Sequence, residues 1–206
     1  MKINISINEV LRDFVGQLVY TYNKYYSENE DTQIKETDIT DYNLSEFLKF
    51  DSFKTLEDLN RFIYLEEPLV IFGHADQTSE NLITRFNQFL LDIKDEEEHQ
   101  IKLVSKEVDK SITSTFFFLS KTGCRINDLK FVQDSADEWD DADILITANP
   151  DALAKKPNGK ISVKINAVYN ANATADFTLD SILEFIKDEN VRSKILNTKI
   201  ITYEEI

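Results

Sequence analysis

A change of hydrophobic period near the start of the chain constrains the fold most. Ile3, Ile5 and Ile7 alternate with polar residues, the period of a half-buried strand. From Val10 the spacing changes: Val10, Leu11, Phe14, Val15, Leu18, Val19 and Tyr22 recur as on one face of a helix. The spacing predicts a strand ending near Asn8 and a helix over 10–26. In open α/β sheets, ligands sit beyond the carboxyl ends of the strands, where such turns lie.

The same pattern returns downstream. Ser27 to Thr37 reads as an exposed polar loop. A short helix is expected from Asn43, a candidate N-cap, to Phe50, and another over 56–65 behind the capping motif that Thr55 opens. Pro68 to Phe72 fits a strand or a helix end. Ser79 is a candidate N-cap for a helix with Leu82, Ile83, Phe86, Phe89, Leu90 and Ile93 on one face. Asp95 to His99 reads as a charged turn. Further strands are expected at 101–105, 129–132, 144–146 and 161–165. Lys110 to Gly123 reads as a helix with Ile112, Phe116 and Leu119 inward and Gly123 as its stop. Leu179 to Lys187 reads as a last amphipathic helix, and residues 191–206 as a tail, a late strand or an arm. Alternating strands and helices predict a parallel sheet of the Rossmann-like α/β class.

The 206 residues suffice for one α/β domain with an insertion, and 42% hydrophobic content with 14 Phe can fill a core. Only 4 Gly and 3 Pro argue against long linkers. A net charge of −15 with 23 Lys and Arg disfavours wrapping a phosphate backbone, so direct nucleic-acid binding is not expected. It favours solubility or docking on basic protein surfaces. The single cysteine, Cys124, excludes an internal disulfide framework and a cysteine-cluster zinc site. It is expected as a small buried hydrophobe. No signal region and no run of 18 apolar residues is present, so neither export nor membrane insertion is expected.

The opening stretch resembles the first motif of the haloacid dehalogenase (HAD) superfamily, in the form of deoxyribonucleotidase-like proteins. There the strand ends in Asp-x-Asp-Gly-(Val/Thr)-Leu. Here Ser6-Ile7-Asn8-Glu9-Val10-Leu11 stands in that frame. Ser6 takes the place of the nucleophilic Asp, Asn8 that of the acid/base Asp, and Glu9 that of the Gly. Ser105, ending Ile101 to Ser105, matches the second motif's hydroxyl. The motif-three Lys is missing from Phe131 to Asp143. In Ala142 to Pro150 the strand and the Asn149-Pro150 turn are kept, but Thr147 and Ala148 stand where the metal-binding Asp pair belongs.

The resemblance implies a HAD core over 1–9 and 74–190, with 10–73 as a helical C1-type cap inserted after the first strand. It implies no catalytic residue, no metal and no cofactor. Ser6, Asn8, Ser105, Thr147 and Ala148 are positions of a former site. Asn8 cannot exchange a proton, and no His or Lys in the frame activates Ser6. The acidic run 134–143 reads as a solvated face. His74 and His99 fit no zinc spacing; His99 is expected to be exposed and His74 structural.

The chain also resembles the degenerate HAD-like proteins from the virion-structure region of crAss-like bacteriophages, which form rings of the tail. That implies a non-catalytic structural protein, made in the bacterial host cytoplasm and located in the virion tail. Its partners would be copies of itself and other virion proteins. Tyr20, Tyr22, Tyr25 and Tyr26 are then a candidate interaction surface, with aromatic packing inside the cap as the competing role. A nucleotide-binding module without a phosphate-meeting Lys, and a weakly active nucleotidase or phosphatase, are the alternatives.

Overall fold

A computed structural model describes residues 1–27, 33–48, 56–94, 99–125 and 128–198. The expected helix end at Phe50, the Thr55 cap, the 95–98 part of the charged turn and residues 199–206 lie outside these.

Six parallel strands make one sheet: β1 (Lys2–Ser6), β2 (Gln100–Lys106), β3 (Leu129–Val132), β4 (Ile144–Thr147), β5 (Ile161–Ile165) and β6 (Phe177–Leu179), in the order β3-β2-β1-β4-β5-β6. The parallel α/β class expected from the alternation is the class observed. Central strand β1 pairs Ile5 with Leu103 on one side and Ile146 on the other. The winding order reverses between β1 and β4, which opens a crevice at their carboxyl ends.

The alternation along β1 sorts its side chains. Ile3, Ile5 and Ile7 enter the main core with Leu103, Ile144, Ile146 and Val163. That core is closed by helices α3 (Leu82–Lys94), α4 (Lys110–Thr122), α6 (Ile182–Lys187) and α7 (Glu189–Leu196). Asn4 and Ser6 alternate with those isoleucines and serve the turn at Ser135–Trp139, where the Asn4 amide donates to the carbonyls of Glu138 and Asp140. Trp139 packs there with Val104, Leu145 and Ala152 of helix α5 (Pro150–Ala154), and its indole donates to the Ala152 carbonyl.

The described residues between β1 and α3 include α1 (Phe14–Tyr25), α2 (Leu56–Arg61) and wider helical turns at Phe62–Glu66 and Leu69–Gly73. These build a second apolar cluster from Leu18, Tyr22, Leu59, Phe62, Ile71 and Phe72. A fully buried aromatic of this kind contributes about 1.5–3 kcal/mol.

Several boundaries differ from the sequence reading. Helix α1 starts at Phe14, not Val10, because Glu9 takes a left-handed backbone (φ 58°) and the amides of Leu11 and Arg12 both return to the Ile7 carbonyl. The α1 cap is Asp13, which accepts from the Gly16 amide. Ser79 does not cap α3; Gln77 does so through its side-chain oxygen, accepting from the Ile83 amide. Asn43 likewise makes no capping bond, and its short helix is a single tight turn at Leu44–Glu46. The inward face of α4 carries Thr115, Phe118 and Leu119, whereas Phe116 is 50% exposed. Gly123 ends α4 in the left-handed region, as expected. Leu179 closes the short strand β6, which the periodicity did not reveal, and the last helix pair begins at Ile182. Residues 191–196, expected in a tail, belong to α7, and Ile195 is fully buried in the main core.

Candidate functional site

The carboxyl ends of β1, β2 and β4 meet the helical segment around a cavity of about 440 Å³. Ser6, Asn8, Ser105 and Thr147 all line it, so four of the five residues that the resemblance singles out are brought to one place. Ala148 is fully buried, and its carbonyl accepts from the Asn170 amide.

Ser6 belongs to a network built around Glu138. The Ser6 hydroxyl donates to Glu138 Oε2 at 2.6 Å and lies 2.8 Å from Thr147 Oγ1. Thr147 Oγ1 accepts from the Asn149 amide at 3.1 Å and is 3.3 Å from Glu138 Oε2. The Asn149 side chain donates to Glu138 Oε1 at 2.6 Å and to Ser135 Oγ at 3.1 Å, while its oxygen caps α5. Lys106 Nζ closes the set, donating to Ser135 Oγ at 3.2 Å. Burial pushes the Glu138 carboxyl above its ordinary range, against the bonds from Ser6, Asn149 and Thr147 that favour its ionised form.

Asn8 belongs to a second network, around Arg12. Asn8 Oδ1 accepts from Arg12 Nε at 3.0 Å and also from Nη2. The same guanidinium pairs with Glu107 and donates to Thr115 Oγ1 and, at 3.3 Å, to the Phe72 carbonyl. It sits over the rings of Phe72 and Phe118, 4.9 and 5.4 Å from their centroids. Ser105 donates to Glu107 Oε1 at 2.6 Å, which joins its hydroxyl to this cluster.

Glu9 lies beside both networks. Its Oε1 accepts from the Val15 amide at 2.7 Å, and burial pushes its carboxyl up to about 8. The positive φ of Glu9 explains a backbone position that suits glycine.

Sequence reasoning missed Arg12, Glu107, Glu138 and Lys106. The acidic run 134–143 is not wholly a solvated face, since Glu138 is 2% exposed and aimed at Ser6. A base absent from the local frame therefore reaches Ser6 from another segment. A lysine is also at the cavity, although none lies in 131–143. The signal available was position: Glu138 precedes the only Trp, and Arg12 interrupts an apolar face.

The donor set does not suit a divalent cation. Both Glu138 oxygens accept from protein donors, the Asn149 amide presents N–H groups, and Mg²⁺ requires oxygen ligands in near-octahedral array. Among the described residues no group of three or more His, Cys, Asp or Glu is gathered to hold a metal. His74 is exposed beside Phe117; His99 is half-buried, not exposed as expected, and its Nδ1 lacks a partner among the described residues. Cys124 is half-buried against the main core, and burial pushes its thiol up to about 12.

The four tyrosines do not form one surface. Tyr20 and Tyr25 are 57% and 50% exposed, with Lys24 over both rings. Tyr22 is buried in the second apolar cluster, and Tyr26 packs edge-on against Phe62. No described helix is long and apolar enough to cross a membrane.

No family model matches the chain, and no curated protein does. Solved structures do. A phosphonoacetaldehyde hydrolase-like protein from Oleispira antarctica aligns with a TM-score of 0.56 at 12% identity, over 96% of this chain and 95% of that one. A haloacid dehalogenase-like hydrolase from Burkholderia xenovorans LB400 aligns at 0.53 and 12%, over 92% and 96%. A dehalogenase aligns at 0.51 and 9%, over 89% and 94%. At these identities the likeness concerns the fold. With its six-stranded parallel sheet and flanking helices, the chain has the HAD-like Rossmann fold.

Proposed function

We propose that this chain is a non-catalytic HAD-like protein that serves as an oligomeric structural component of a bacteriophage virion, in a ring of the tail. One observation carries the loss of chemistry. The two residues in the nucleophile and acid/base positions, Ser6 and Asn8, are each consumed by a closed internal network, one centred on Glu138 and the other on Arg12. Phosphoryl transfer needs a free nucleophile and a cation to meet the phosphoryl oxygens. Ser6 is 6% exposed, and its partner Glu138 repels an approaching phosphate. The virion role draws on the resemblance of the sequence to tail-ring proteins, and the exposed Tyr20, Tyr25, Phe116 and Phe117 offer contact surface.

Electron microscopy and light scattering of the purified chain, with detection in purified particles, test this reading. Closed rings and a virion-associated signal are expected. A monomer at micromolar concentration that is absent from particles would overturn it.

A second reading rests on the 2.6 Å contact of Ser6 with Glu138, the arrangement of a hydroxyl nucleophile and its base. On that reading the chain is a weak nucleotidase or phosphatase. Magnesium-dependent phosphate release from a nucleotide, abolished by Ser6→Ala, would favour it over the structural role.

A further inference from the structure

The cavity above β1 has a lining unlike one made for phosphate. Its titratable groups are the carboxyls of Glu9, Glu138, Asp41 and Asp151 and one amine, Lys106, which already donates to Ser135. Asp41 and Asp151 are exposed and stand at the rim, while Glu138 and Glu9 lie deeper. The rim carboxylates Asp41 and Asp151 repel an entering anion and attract a cation.

The aromatic part of the lining is an independent observation. Phe14, Tyr42, Tyr64 and Tyr169 face the cavity, and the rings of Tyr42 and Tyr169 are 5.5 Å apart. The three tyrosines are half-buried, and partial burial raises all three hydroxyls, Tyr64 to about 12. The carboxyls of Glu9 and Glu138 act on both Tyr42 and Tyr169, so the two hydroxyls and two carboxyls converge. Among the described residues, none of these three hydroxyls makes a hydrogen bond to the protein, whereas Ser6, Ser105, Thr115 and Thr147 all do. These three oxygens open on the cavity rather than being sealed from solvent, so they are free to meet a partner from outside the chain. Oxygens of tyrosine and carboxylate accept N–H donors, and electron-rich rings favour a positive charge over their faces.

We propose that the cavity between the strand edge and the helical segment binds a small organic cation bearing N–H donors, an alkyl amine or guanidine, through Tyr42, Tyr169, Glu138 and Glu9. This goes beyond the structural role and stands whether or not the chain assembles into rings. The volume, about 440 Å³, matches a ligand of that size.

Isothermal titration of the full chain with putrescine and agmatine, and in parallel with inorganic phosphate and ribose, tests it. Saturable binding of an amine is expected, with no binding of phosphate or ribose. Tyr42→Phe with Tyr169→Phe should weaken amine binding at least about five-fold, the equivalent of one lost hydrogen bond. The same pair should leave the unfolding midpoint unchanged or higher, since neither hydroxyl has a protein partner to lose. Absence of saturable amine binding, preference for phosphate or ribose, or an unaltered affinity in the double variant would each overturn the proposal.

Discussion

Arg12 and Glu107 form an ion pair that solvent does not reach: both side chains are fully buried. The pair joins the turn after β1 to the loop after β2. Through the Phe72 carbonyl it also anchors the returning end of the helical segment.

Breaking this pair from one side strands a buried charge. Arg12→Met should cost about 3–5 kcal/mol in chemical denaturation at neutral pH, because Glu107 is left uncompensated. Adding Glu107→Gln to Arg12→Met should restore much of that loss. Equal destabilisation of the single and double variants would show that the pair is not the source.

Glu138 binds its neighbours as an acceptor. Glu138→Ala should destabilise by roughly 2 kcal/mol, since Ser6 and the Asn149 amide lose their buried acceptor. Glu138→Gln keeps the volume and one acceptor, and should cost less. Urea midpoints of the two variants compare them directly.

Burial holds the Glu9 proton in the folded state more tightly than in the unfolded chain, raising its pKa from 4.5 to about 8. The folded state therefore binds more protons between those values. The stability this gives is complete below pH 4.5 and is lost as pH rises toward 8, with a slope of at most about 1.4 kcal/mol per pH unit. Glu9→Gln should flatten stability against pH over that window. An identical pH profile in the variant would remove Glu9 as the cause.

Gly73 closes the turn that returns the helical segment to the core. A Cβ there would lie 2.8 Å from Leu69 Cδ1, 3.1 Å from Phe117 Cδ1 and 3.3 Å from the Ser114 carbonyl. Gly73→Ala should cost about 1–3 kcal/mol through overpacking, read as a lower thermal midpoint. Gly123→Ala meets no such contact, and its cost should come from its left-handed backbone alone.

Much of the framework was legible in local pattern. The alternation of Ile3, Ile5 and Ile7 marks β1, the apolar run at 144–146 marks β4, and the face from Leu82 to Ile93 marks α3, since burial of one side imposes a period. Gly123 and the Asn149-Pro150 turn mark ends through backbone conformation and capping, which are also local. The three-residue strand β6 carries too short a pattern to show a period, and it is fixed by pairing with β5.

The sequence by itself determined that Ser6 and Asn8, neither of them a carboxylate, stand at and just beyond the end of β1, on the central strand's site edge. Only the tertiary structure decided what surrounds them. Glu138 reaches Ser6 across 132 positions of chain, and Glu107 reaches Arg12 across 95. A charged side chain read alone belongs on the surface, because burying an unpaired charge costs too much. Its partner, supplied by a distant strand edge, reverses that balance, and no local period records where the partner is.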